Sequence, residues 1–205
     1  MSLLELMAAA DERGLAASAV ACLDRCLPQP ADGADPDPLR PLWAGCADGS
    51  VWPDRLAEVR AVLDAAVDTA GAAPQIRKLL SEAPVDRAAP ELREWADACS
   101  LAALETHCRL DAPGVEEAEA KSESESESES EDRTELLNRC CTEGPEDAGP
   151  LLAGELRRQI QILETLAETT GTVGSGAALR RALNLSTEGR RVLRAVVSRQ
   201  ARGRA

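Results

Sequence analysis

Tryptophan is the only aromatic residue in this 205-residue chain: it occurs three times, and Phe and Tyr are absent. A core without large rings must gather its buried area from many Leu, Ala and Val contacts, each worth about 25 cal/mol per Å² of apolar surface. Phe, Tyr, Met, Ile, Asn and Lys together number nine. These six residue types share AT-rich codons, so the shortage reads as a GC-rich gene rather than as selection at a binding surface. With Ile scarce and Val scattered, alternation of period two never persists, whereas apolar residues recur with helical spacing. The expected fold class is therefore all-α, with Trp43, Trp52 and Trp95 as anchors of the core.

The helical pattern can be followed along the chain. Leu3, Leu6, Met7 and Ala10 share one face, Gly14 marks a break, and Leu15, Ala19, Cys22, Leu23, Cys26 and Leu27 continue until Pro28 and Pro30. A loop rich in Pro, Asp and Gly leads to a compact, irregular stretch at 39–52. Pro53 stands at the start of the next helix, whose stripe is Leu56, Val59, Leu63, Ala66, Val67 and Ala70, with Gly71 as a C-cap. A short helix at 75–82 precedes a longer one from Pro90 to about Leu110. Two apolar lines run along that longer helix, Leu92, Trp95, Cys99, Ala103 and Leu110 on one and Leu101, Leu104 and Cys108 on the other, which predicts a central position. A strong helix at 151–169 carries Leu152, Leu156, Ile160, Leu163 and Leu166. Two short helices are expected to close the chain, at 177–184 and from Thr187 to about Gln200, with Ser186 as the N-cap of the second. The stretch 179–193 has the outline of a helix-turn-helix, but Arg180 and Arg190 fall where that motif carries small or apolar residues. A buried unpaired Arg is costly, so no such motif is assigned.

Between the helices lies a run of five Ser-Glu repeats, Ser122 to Glu131, flanked by Glu116, Glu117, Glu119 and Asp132. No apolar period survives there and like charges repel, so the run reads as a disordered acidic linker. The expected organisation is an N-terminal helical bundle (1–112), an acidic linker (113–147), a C-terminal helical hairpin (148–200) and a basic tail (201–205). Ser122, Ser124, Ser126 and Ser128 each have acid at +1 and +3, the pattern preferred by acidophilic kinases of the casein kinase 2 type, and Ser130 completes the run. All five are phosphorylation candidates, each gaining about −1.5 to −2 charges when modified.

Charge is segregated. Residues 151–205 hold ten Arg and four Glu, a net +6, which leaves −19 for the rest of a chain whose total is −13. Arg190, Arg191, Arg194, Arg199, Arg202 and Arg204 form the expected basic patch. On a helix Arg190, Arg191 and Arg194 would crowd one side, opposite Val192, Leu193 and Val196, with Arg199 off that side. Such a patch suits an acidic protein surface, or nucleic acid phosphates, although the acidic total gives nucleic acid an unfavourable long-range field.

Groups suited to catalysis are few. With one His (His107), no Tyr and two Lys, the usual acid–base candidates reduce to carboxylates and cysteines. No Gly-x-Ser-x-Gly or Gly-Lys-Ser/Thr motif occurs, and the loop at 171–176 follows a helix and lacks Lys. Seven cysteines, an odd count without a signal-peptide pattern, argue against a disulfide framework, and the lack of a Cys-x-x-Cys pair argues against a zinc site. No catalytic residue, metal site or cofactor is expected. The longest uncharged stretch near the N-terminus is about half the ~20 residues needed to span a membrane, and early acidic residues do not suit a secretory or transit leader. A cytoplasmic or nuclear location, and no membrane partner, are therefore expected. These features describe a non-enzymatic helical adaptor or complex subunit that binds other proteins. Its candidate contact residues are Leu152, Leu156, Ile160, Leu163, Leu101 and Leu104; the alternative is a nucleic-acid-associated factor using the Arg-rich C-terminal helix.

Overall fold

The computed structural model of the chain describes residues 1–27, 37–65, 73–111, 123–168 and 175–203. Within them the chain is all-α and no strand occurs. The helices are α1 (Leu3–Ala9), α2 (Glu12–Cys26), α3 (Arg40–Ala47), α4 (Trp52–Ala65), α5 (Ala73–Glu82), α6 (Ala89–Asp111), α7 (Glu123–Glu143), α8 (Pro150–Ala167) and α9 (Ser175–Gly203), with a 3₁₀ turn at Gly49–Val51.

Local chemistry sets the first boundaries. Ser2 caps α1 through a capping box: its Oγ accepts from the Glu5 N–H at 3.2 Å, while its own N–H donates to Glu5 Oε2 at 2.9 Å. Asp11 then caps α2, accepting from the Gly14 N–H at 2.7 Å. The break between the two helices is thus at Ala10 and Asp11, and Gly14 lies inside α2. An Asp side chain that satisfies a first-turn N–H is a stronger start signal than an isolated Gly is a stop.

Helix α2, rather than α6, is the centre of the molecule. Every residue from Gly14 to Cys26 is buried, including Asp24 and Arg25. A helix apolar all round belongs inside a protein, and Leu15 to Leu23 contains no charge. Helices α3, α6, α8 and α9 pack around α2, and α6 and α9 also flank α8. Residues from both sides of the acidic run enter one hydrophobic core, which includes Leu15, Leu23, Leu92 and Leu104 together with Leu152, Leu156, Leu163 and Ala182. The hairpin expected at 148–200 therefore has no separate core. It supplies one wall of the core that the first 111 residues begin.

The three tryptophans are buried as expected. Trp52 and Trp95 meet edge to face with centroids 5.9 Å apart, and their indole N–H groups donate to Pro84 O and Leu79 O at 2.8 and 2.7 Å. The stretch at 39–52, expected to be irregular, is mostly helical, and Gly45 lets α3 approach the backbone of Trp52: a Cβ there would lie 3.2 Å from its Cα. In the stripe of α4, Leu56 and Val59 are buried and Leu63 is half-buried, while Ala66, Val67, Ala70 and Gly71 lie outside the described residues. Arg60 closes the other end of this layer, donating to the Leu80, Ser81 and Ala83 carbonyls at the C-terminus of α5.

The acidic run is described from Glu123 onward, where the backbone is helical as the first turns of α7; Ser122 lies outside the described residues. The later turns of α7 join the core: Leu137 and Cys140 are buried and Leu136 packs against it. The start of α8 is held from a distance. Asp111, at the end of α6, accepts from the N–H groups of Leu151 and Leu152 at 3.0 and 2.8 Å.

Candidate interaction surface

The C-terminal half of the core is fixed by two buried polar networks, and what they leave uncovered is the candidate surface. In the first network, Arg25 of α2 and Glu155 of α8 form an ion pair with both side chains fully buried. Arg25 Nε donates to Glu155 Oε2 at 2.8 Å and Nη2 to Oε1 at 2.6 Å, the forked geometry that makes Arg–carboxylate pairs strong. Gln159 Nε2 donates to Glu155 Oε1 at 3.0 Å and to Ser100 O at 3.3 Å, while Ser100 Oγ donates to Gln159 Oε1 at 2.5 Å. The lone histidine, His107, donates from Nδ1 to Ala103 O at 2.7 Å and turns Nε2 toward Glu155 Oε2 at 3.6 Å. Burial pushes the Glu155 carboxyl up. The Arg25 charge, the neighbouring His107 and the hydrogen bonds from Arg25 and Gln159 more than offset this, leaving it at about 2.

The second network ties α9 to α2. Ser186 Oγ donates to Asp24 Oδ2 at 2.7 Å, and Arg190 Nη1 donates to Asp24 Oδ1 at 2.7 Å. Arg190 also lies 3.5 Å from Asp37. Burial, and then the neighbouring Asp37 carboxylate, push Asp24 up to about 6 against the opposing pull of Ser186, Arg190 and Arg25. Between the two networks Gly189 brings α9 onto Arg25, where a Cβ would lie 2.5 Å from Arg25 Cδ and 2.9 Å from Arg158 Cδ.

These contacts correct several sequence readings. Helix α9 is continuous across 184–186, so the expected turn is absent and Ser186 is not an N-cap; its hydroxyl faces inward to Asp24. Arg190 is only 15% exposed and serves the core. Its carboxylate partners stand more than 150 positions earlier in the chain, so local periodicity placed it outward. Among the expected contact residues, Leu152, Leu156, Leu163 and Leu104 are buried in the core, and Ile160 is half-buried against it. They are interior packing rather than a free face, because the surface they complement belongs to α2 and α6 of the same chain. Leu101 differs, at 43% exposure.

Beyond Arg190, α9 leaves the core. Leu193, Val196 and Gln200 continue its inner edge as half-buried residues, and Gln200 Nε2 donates to Leu110 O at 3.3 Å. Arg191, Arg194, Arg199 and Arg202 are exposed; Arg204 lies outside the described residues. At 100° per residue these four span an arc of about 140°, so Arg199 joins the basic side instead of falling off it. Val192 and Val197 border that side at 39% and 47% exposure. The stripe is amphipathic, cationic and uncovered.

Chemistry elsewhere is muted. All seven cysteines carry free thiols, and burial raises those of Cys22, Cys26, Cys46 and Cys99 well above the ordinary range. Cys140 is buried and Cys141 half-buried, as the adjacent pair on one helix requires. Among the described residues no group of three or more His, Cys, Asp or Glu is placed to hold a metal ion, and no helix is long and apolar enough to cross a membrane. No family model, curated protein or solved structure matches the chain.

Proposed function

We propose that this chain is a non-enzymatic interaction protein, a helical adaptor or complex subunit, that grips an acidic partner protein with the distal half of α9. The observation that carries this reading is the uncovered stripe Arg191, Arg194, Arg199 and Arg202, bordered by exposed Val192 and Val197. Arginine forks suit carboxylates, and two valines at the margin add modest apolar area. The buried histidine, raised thiols and fully enclosed ion pair favour an architectural role for the groups that might otherwise do chemistry. The acidic run, with Ser122, Ser124, Ser126, Ser128 and Ser130, is the modifiable element of the same reading: phosphorylation there would add about −1.5 to −2 charges per site.

The test is fluorescence anisotropy of a labelled Glu-rich helical peptide titrated with the full chain. Binding at low salt is expected, with loss of at least about tenfold on Arg194→Gln and Arg199→Gln together, the scale of one or two charge-assisted hydrogen bonds. Affinity unchanged by that double substitution would overturn the reading. The second reading, nucleic acid binding, rests on the same four guanidiniums sharing one side of a helix. A 20-base-pair duplex used as probe would separate the two: binding stronger than to the peptide, with a steep salt slope, would favour it.

A further inference from the structure

The basic stripe of α9 has a counterpart on the same chain. Helix α7 turns a row of carboxylates outward: Glu131, Asp132, Glu135 and Glu143 are all exposed. At 100° and 1.5 Å per residue this row spans an arc of about 120° and a length of about 18 Å. Arg191, Arg194, Arg199 and Arg202 cover about 140° and about 17 Å on α9. The two arginines of α7 leave its acidic row intact. Arg133 is half-buried beside Cys108, and Arg139, which falls within the arc, already lies 3.4 Å from Asp147.

Neither row is satisfied within one copy of the chain. Among the described residues, none of these four arginines and four carboxylates forms an ion pair. Arginines elsewhere in the molecule are engaged: Arg25 with Glu155, Arg190 with Asp24, and Arg60 with three backbone carbonyls. Like charges three or four positions apart on a helix repel, as Arg191 with Arg194, Arg199 with Arg202, and Glu131 with Glu135 do here. Each row is therefore stabilised by whatever brings the other sign against it. At physiological ionic strength the Debye length is about 8 Å. That range lets facing rows decide a contact and leaves the chain's total of −13 a weak opponent of it.

We propose that the chain self-associates by laying the basic stripe of α9 on the acidic row of α7 in a second copy. This rests on the reading of the stripe as a grip for an acidic protein, and it makes that protein another molecule of the same chain. In a two-fold arrangement each copy gives one row of each sign, so two equivalent helix contacts form and the assembly closes as a dimer. The guanidinium forks donate to the facing carboxylates, and Val192 and Val197 add apolar area at the margin. An unrelated acidic protein would cover the stripe and leave the α7 row bare, whereas a second copy covers both.

The experiment is sedimentation velocity of the full chain in reducing buffer at about 0.15 M salt, from about 1 to 300 µM, the range in which a small polar interface populates. A monomer–dimer equilibrium is expected. Arg194→Glu with Arg199→Glu, and separately Glu131→Arg with Glu135→Arg, should each weaken dimerisation by at least about tenfold. All four positions are exposed, and circular dichroism checks that each variant is folded. Mixed in equal amounts, the two variants should dimerise again, because rows of opposite sign then face each other at both contacts. A wild-type monomer throughout that range, a dimer indifferent to either reversal, or a mixture that stays monomeric would overturn the proposal. A wild-type monomer that still binds the Glu-rich peptide through α9 removes only the second copy and leaves the grip standing; a monomer that binds no peptide removes both.

Discussion

Gly189 and Arg25 show how much of this molecule depends on single positions. Glycine in a helix interior costs about 1 kcal/mol relative to alanine, yet at 189 any Cβ would strike Arg25 and Arg158. Gly189→Ala is therefore expected to destabilise the protein by about 1–3 kcal/mol despite its better helix propensity, read as a lower urea midpoint. The ion pair that glycine admits is more sensitive still. Glu155→Gln leaves the buried Arg25 charge without its counter-ion and should cost about 3–5 kcal/mol, whereas replacing both partners with Met and Leu should cost less than that single change. Titration separates the two buried carboxylates in opposite directions. Glu155, held at about 2 against an ordinary 4.5, contributes stability at neutral pH that disappears as pH falls through that window. Asp24, raised from 3.8 to about 6, contributes stability that is complete below its ordinary value and is lost as pH rises through 6. Asp24→Asn should flatten the decline in stability between pH 4 and 6 without changing the acid limb near pH 2, which chemical denaturation across pH will check.

At the scale of elements, long-range polar contacts decide what local patterns leave open. Asp111 caps α8 from forty positions away. Asp111→Ala should therefore cost about 1 kcal/mol and speed hydrogen exchange in the first turn of α8, even though the substitution lies on α6. The same logic explains which parts of the architecture were legible in the sequence. The helical class, the three buried tryptophans and the spans of α5, α6 and α8 follow from apolar period alone, because each needs only neighbours within its own segment. The sequence predicts two helices where α9 is one, because Leu185-Ser186-Thr187 looks like a local start signal; Asp24, which engages the hydroxyl, stands 162 positions earlier. Leu152, Leu156 and Leu163 were rightly seen as an apolar face, but nothing local says whether such a face meets a partner or the same chain.

The molecule as a whole separates charge without separating cores. The acidic body and the basic C-terminal segment are stitched through Arg25–Glu155 and Asp24–Arg190, so they should unfold together. All three tryptophans lie before the acidic run, while helices lie on both sides of it. Tryptophan fluorescence and far-UV circular dichroism are thus expected to give coincident urea transitions, whereas an independently packed hairpin would add a second transition seen by dichroism alone. The surface stripe follows from the same arrangement: α9 is buried against the core up to Arg190 and beyond it keeps only a half-buried inner edge, tied at Gln200 to Leu110 O. Native-state hydrogen exchange resolved along α9 measures this directly. Amides from Ala178 to Arg190 should exchange only on global unfolding, and those from Arg194 to Arg202 faster by at least about tenfold. Uniform protection to the end of the helix, or fast exchange throughout it, would contradict an anchored helix that offers its last turns to a partner.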